Sequence, residues 1–323
     1  GKEARSWFKT LSAEKRATIQ KLNQIQPVWN LVGLLFVCIW IIAGMFLLTV
    51  PVWPVRLAAY ITIGLVIHGM VALLHETIHG NTFRKRQLDY WTGLVTGIPG
   101  LLSVTAYRVT HLPHHWYNRT EKDPNEIMNL TKNGRLLSIV FYCWIFIGMF
   151  FVILATPFTS QQYAQPRERR MIAAEYVGIA TLITALVLLG IRYGFLGAIV
   201  QLWGIPLIFA AIIGNVRGWA EHMMTLRGHP LTQSRTVTSN RILSFLFLNS
   251  NYHLEHHLFP GMPWYNLPKL HALLQSEYSS AGTYIYKSYT RFLMDAFLIG
   301  VHGIAPKRVR LPGGLAAHGT AGN

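Results

Sequence analysis

Fourteen histidines occur in this chain, and eight of them stand in three short clusters: His75-x-x-x-His79, His111-x-x-His114-His115 and His253-x-x-His256-His257. A ninth, His222, follows Trp219-Ala220-Glu221. Residues three and four apart share one face of a helix, so each cluster can aim its imidazoles at one point. Neutral imidazole is a ligand for iron, copper, zinc and nickel. Nine ring nitrogens exceed what one tetrahedral ion can take, so the economical reading is two metal ions. Four carboxylates accompany the clusters: Glu76, Asp123, Glu221 and Glu255. Ligating histidines commonly donate their other ring N–H to a carboxylate, which sets tautomer and ring orientation. That supporting role is expected here, foremost for Glu221 and Glu255, with direct carboxylate ligation as the alternative.

Something must bring three distant clusters together, and the composition says what. Of 323 residues, 51% are hydrophobic and only 13% are charged, about half the charged fraction usual for soluble domains. A spanning helix needs about 20 apolar residues. Residues 28–50 qualify without a charge, Pro51-Val52-Trp53-Pro54 breaks the helix, and 56–75 returns to deliver His75 and His79. Arg84-Lys85-Arg86 then marks that surface as cytoplasmic. Residues 88–107 are interrupted by Gly93, Gly97, Pro99 and Gly100, as suits a partly buried or interfacial segment.

Three apolar segments follow, 136–158, 172–190 and 195–214. If all three crossed, the third cluster would face the opposite side from the first two, and no shared site would form. Arg167, Arg169 and Arg170 follow the first of these segments, whereas only Arg192 separates the other two. The positive-inside rule therefore makes 136–158 the segment that does not cross. The expectation is an all-α integral membrane protein, two transmembrane hairpins under a cytoplasmic helical cap that holds a histidine-rich dimetal site. Along the chain it comprises an amphipathic N-terminal segment (1–27), hairpin 1 (28–75), a cytoplasmic stretch with two clusters (76–135), a re-entrant or interfacial segment (136–158), hairpin 2 (172–214), a cytoplasmic stretch with the third cluster (215–310) and a disordered tail (311–323).

The net charge of +16 would suggest nucleic acid in a soluble protein, but here the cations adjoin apolar segments, as in cytoplasmic loops of membrane proteins. No nucleic-acid partner is expected. Cys38 and Cys143 lie in apolar runs and are expected to be buried packing residues. His68, seven residues before His75, is expected to be a neutral histidine hydrogen-bonded to a neighbouring helix.

The boxes His75-Glu-Thr-Ile-His79, His111-Leu-Pro-His114-His115 and His253-Leu-Glu-His256-His257 resemble those of the membrane fatty acid desaturase superfamily. So do Asp123-Pro124-Asn125 and Leu258-Phe259-Pro260-Gly261-Met262-Pro263 after the second and third boxes, and the resemblance covers about 28–274. It implies two iron ions bound at the cytoplasmic ends of two hairpins, with O2 as co-substrate. Carried over residue by residue, the ligands are His75, His79, His111, His114, His115, His253, His256 and His257, with His222 as the extra histidine some members supply. Some members also place an asparagine near the metals, and Asn215, Asn249 and Asn251 are the candidates. Leu311-Pro312-Gly313-Gly314 lacks the histidine of a fused cytochrome b5 haem motif, so a separate electron donor of ferredoxin or cytochrome b5 type is expected. The implied activity is desaturation of a long acyl lipid in the membrane. Hydroxylation, ketolation or decarboxylation of a carotenoid or other lipid is the alternative within the superfamily; a metal transporter or haem membrane protein is the remote one.

Overall fold

The computed structural model describes residues 2–126, 133–223, 225 and 229–299. Part of the polar stretch, 127–132, and the expected disordered tail, 311–323, lie outside the described residues. Among the described residues every regular element is helical, apart from an isolated bridge between Val237 and Tyr286. Four helices among the described residues are long and apolar enough to cross a membrane: Pro27–Thr49, Trp53–Ile78, Pro166–Tyr193 and Leu196–His222. They coincide with the arms of the two expected hairpins.

Two short helices, α1 (Lys2–Thr10) and α2 (Ala13–Leu22), precede the first span. Helix α3 (Val32–Thr49) ends at the extended Val50, and α4 (Trp53–Ile78) starts with Pro54 in its first turn, where a missing N–H costs nothing. Helices α5 (Arg86–Gly97) and α6 (Val104–Tyr117) follow, separated by the glycine- and proline-rich interruption. Helix α7 (Gly134–Thr159) is a single unbroken helix of 26 residues. Helix α8 (Pro166–Tyr193) opens with a capping box between Gln165 and Glu168 and stops at Gly194, whose φ of 76° suits a residue without Cβ. Helix α9 (Leu196–Ile199), a π-helical stretch Val200–Gly204 and α10 (Ile205–His222) continue as one rod. The remainder is short: α11 (Arg241–Leu246), α12 (His253–Leu258), α13 (Leu267–Leu273), α14 (Gln275–Ala281) and α15 (Tyr289–Ile299).

Helix α4 is the centre of the bundle. Its apolar window is 61% buried, against 17–28% for the other three spans, which present most of their surface outward. It packs against α3, α5 and α10. Close approach is enforced by glycine: a Cβ on Gly64 would lie 2.7 Å from Phe209 Cβ of α10, and one on Gly69 would lie 2.6 Å from the Phe36 ring of α3.

The cap is held by apolar burial and by satisfied polar groups. Leu11 and Ile19 of the N-terminal segment share a core with Leu254, Leu258, Leu270 and Tyr278. The Trp7 and Phe8 rings meet Phe259 at 6.3 and 5.6 Å, so the amphipathic N-terminus docks on the elements around the third histidine cluster. Glu175, a carboxylate inside the apolar α8, accepts from Ser103 Oγ (2.6 Å), Thr105 N–H (3.0 Å) and the Tyr90 hydroxyl (3.1 Å). A charge at that depth is tolerable only when satisfied in this way, and the bonds fix the start of α6, which carries the second cluster.

Two expectations need correction. Cys38 and Cys143 are exposed at the protein surface. An apolar run in a spanning helix signals lipid as readily as core, because the lipid-facing surface is as apolar as the interior. His68 is buried, but its Nε2 makes no hydrogen bond to any helix; the ring instead sits edge-on to Phe247 at 4.9 Å.

Candidate metal centre

Four elements supply the nine histidines. His75 lies in the last turn of α4 and His79 is its C-cap; His111, His114 and His115 lie on α6; His222 ends α10; His253, His256 and His257 lie on α12. Helical spacing explains each local set. What gathers them is the shared end at which α4 and α10 finish.

The nine form two groups, His75, His79, His111, His115 and His256 in one, His114, His222, His253 and His257 in the other. Within each group the candidate ligand atoms lie within 4.8 Å of one another. In the first group His111 Nε2 is 3.0 Å from His75 Nε2 and 2.9 Å from His115 Nε2, which is 3.0 Å from His256 Nε2. In the second, His253 Nε2 is 2.9 Å from His222 Nε2 and 3.0 Å from His257 Nε2. A neutral ring nitrogen carries one proton or one lone pair, so it cannot bond two such neighbours at once. His79 Nε2 is buried with no partner at all. Converging lone pairs in a dry site are satisfied by a shared cation, and the donor set therefore fits metal ions.

Burial also sets the protonation state. It pushes the His79 imidazole down to about 3, and the nearby His114 adds to the effect. His111, His115, His253, His256 and His257 are likewise pushed well below the ordinary histidine value, by burial first and by neighbouring histidines second. All are held neutral, the form in which imidazole binds a metal.

Three carboxylates face the Nδ1 atoms of three clustered histidines. Asp123 Oδ1 is 2.8 Å from His114 Nδ1, and the carboxylate also accepts the backbone N–H groups of Arg119 and Asn125, each at 2.9 Å. Glu221 lies 3.3 Å from His253 Nδ1, and Glu76 lies 3.5 Å from His75 Nδ1. At His114 the hydrogen-bonded Nδ1 leaves Nε2 free to face the group; Glu221 and Glu76 stand beside their rings without a hydrogen bond to Nδ1. Glu255 does something else: it accepts from His271 Nδ1 at 2.6 Å and from Thr236, so it braces α12 against α13. Asn249 and Asn251 spend their amides on carbonyl oxygens, of Trp264 (3.2 Å) and Val237 (2.7 Å) respectively. Asn215 Nδ2 is buried without a partner.

Other supports have only faint sequence signals. Arg217 donates to Glu221 at 2.8 Å, an i, i+4 pair visible in principle on α10. Arg235, 2% exposed, donates to the carbonyls of Ala220 (3.1 Å) and Met223 (2.7 Å), capping the helix end that carries His222. Asn81 bridges Glu76 to the carbonyls of Pro260 and Met262, and Glu76 accepts the Trp264 N–H at 3.0 Å. The segment after the third box is thereby tied to the first.

Removing Asp123 tests whether these supports matter. Asp123→Ala leaves His114 Nδ1 unpartnered and is expected to weaken metal binding about 10–100-fold. Metal content measured across a chelator series reads this directly; unchanged affinity would rule out an orienting role for Asp123.

The sequence pattern described as Fatty acid desaturase matches residues 51–289, a span that contains all three boxes. A sphingolipid delta(4)-desaturase of Drosophila melanogaster is 26% identical over 316 residues, covering 94% of this chain and 92% of that protein. A sphingolipid delta(4)-desaturase/C4-monooxygenase of Rattus norvegicus is 24% identical over 284 residues, covering 82% and 79%. A dihydrorhizobitoxine desaturase of Bradyrhizobium elkanii is 25% identical over 280 residues, 77% of each chain. With four apolar spans, two buried histidine groups suited to a di-iron site and a family match over most of its length, this chain belongs to the fatty acid desaturase family of membrane oxidoreductases.

Proposed function

We propose that the protein is an O2-dependent di-iron desaturase that introduces a double bond into the long chain of a membrane lipid. The observation that carries this reading is the division of nine histidines into groups of five and four at one end of the bundle. Five rings in one group exceed the four ligands of a tetrahedral zinc, so the donor set favours an ion of higher coordination number such as iron.

When bound, the two irons supply an oxidant derived from O2 that removes hydrogen from an unactivated C–H bond. The chain's residues do the rest. His75, His79, His111, His115 and His256 would hold one ion; His114, His222, His253 and His257 the other. Asp123 keeps the His114 ring aimed, and Glu221 and Glu76 place carboxylates within 3.5 Å of the His253 and His75 rings. Tyr107 stacks on His111 at 5.2 Å, and burial pushes its hydroxyl up to about 12, so it stays protonated beside the site. The buried histidine lining excludes bulk water from the reacting carbon. Electrons come from a separate carrier of ferredoxin or cytochrome b5 type.

A cytoplasmic position for the site is supported by charge. Arg84, Lys85, Arg86, Arg167, Arg169 and Arg170 lie toward the site end of the bundle, while Arg56 and Arg192 lie near its far turns. Support for an interfacial α7 comes from its neighbours. Tyr142 meets Phe297 of α15 at 6.3 Å, Met149 adjoins Gly214, Ile153 packs beside Leu74 and Ile78, and the following turn contacts α6. We infer that α7, packed against α10, lies at the boundary between bundle and cap. A cysteine in place of the exposed Gln162 should react with an impermeant thiol reagent only from the cytoplasmic side. Labelling only from the far side would mean that α7 crosses.

A second reading keeps the site and changes the product, since the Rattus norvegicus relative is named as both a desaturase and a C4-monooxygenase. Mass spectrometry of lipids from cells expressing the wild type or His256→Ala separates the two. The proposal requires lipids lacking two hydrogens, formed by the wild type only. A gain of oxygen would replace desaturase with hydroxylase.

A further inference from the structure

We propose that His68, Asn215 and Tyr289 form a polar subsite that binds a neutral hydroxyl or amide group of the lipid substrate. This rests on the reading of the protein as a lipid desaturase and adds what its substrate carries.

Helical register places two of the three at one level of the bundle. His68 precedes His75 on α4 by seven residues, and Asn215 precedes His222 on α10 by seven. Seven residues are close to two turns, so each lies on the same face as its histidine and roughly 10 Å further along the rod. The helices touch at this level, where a Cβ on Gly214 would lie 3.5 Å from His68 Nδ1. Phe247 joins the third: its ring is 4.9 Å from His68 and 5.9 Å from Tyr289.

These groups are buried and unspent. His68 is 6% exposed and Asn215 3% exposed. His68 Nε2, Asn215 Nδ2 and the Tyr289 hydroxyl have no hydrogen-bond partner, and neither does Arg217 Nε. A lone buried polar atom is costly, and several gathered on converging elements point to a ligand that completes them. The donor set defines its chemistry. An amide N–H, a phenol and an imidazole nitrogen together complement a hydroxyl or an amide carbonyl. Among the described residues the cation beside these groups, Arg217, already faces Glu221 at 2.8 Å, which favours a neutral ligand over a phosphate or carboxylate.

The nearby exterior suits an amphiphile. Ile242 on α11 and Met294 and Leu298 on α15 are exposed apolar residues, so both helices offer a lipid-compatible surface beside the subsite. A lipid held here by its polar group would present a carbon within about 10 Å of that group to the histidine centre. Oxidation would then fall near the polar end of the lipid, not deep in its chain.

The test uses the purified iron-loaded protein in detergent, supplied with O2 and a reduced ferredoxin or cytochrome b5, and two saturated probes: a long-chain N-acyl-2-amino-1,3-diol, and its analogue with hydrogen in place of both hydroxyls. Binding is measured by titration and conversion by mass spectrometry. The wild type should prefer the diol. Asn215→Leu and Tyr289→Phe should each cut that preference about fivefold, leaving iron content and affinity for the analogue unchanged. His68→Phe provides a third reading if either variant fails to accumulate. Variants that retain the wild-type preference would mean that the subsite holds only water, and equal loss for both probes would mean a structural role; either overturns the inference. Failure of the desaturase reading looks different: the preference persists in binding while neither probe loses hydrogen.

Discussion

The structure depends on one constraint, that nine imidazoles from four separate helices must converge in a buried space. An imidazole nitrogen with two others about 3 Å away, as at His111 and His253, cannot bond both, and a shared cation completes the arrangement. Such a site has to be imposed by the scaffold. The central α4, locked to α3 and α10 through Gly69 and Gly64, supplies the rigid member on which the rest is built. Helix α6 is then anchored through its first residues to Glu175 of α8, and α12 is braced by Glu255 and His271.

Burial acts twice in this design. It keeps the rings neutral and ready to bind metal, and it keeps water from the reacting carbon. It also demands that every charge nearby be paired. Arg217 with Glu221, Arg235 on the end of α10, and Asp123 with two backbone amides all meet that demand within a few ångströms of the histidines. The N-terminal helices complete the enclosure by covering the third cluster with Trp7, Phe8, Leu11 and Ile19.

Much of this was legible in the sequence because spacing and hydropathy are local properties. The four spans, their breaks at Pro51–Pro54 and Gly194, and the three boxes follow from runs and intervals, and the need for one apolar segment not to cross follows from parity. Long-range partners were not legible. Nothing local pairs Glu255 with His271 in place of a clustered histidine, or Arg235 with the end of α10. The cysteines misled for a physical reason: apolar neighbours mean burial in water, but in a membrane protein they equally mark a surface that faces lipid. His68 was read as hydrogen-bonded because isolated polar groups in spans usually are, and its vacant Nε2 needed coordinates to be seen.

The most direct measurement is iron-edge X-ray absorption, with metal counting, on protein reconstituted with ferrous iron. The account predicts two irons per chain, each six-coordinate with a shell dominated by imidazole nitrogen. One metal per chain, or a four-coordinate zinc retained in preference to iron, would contradict it.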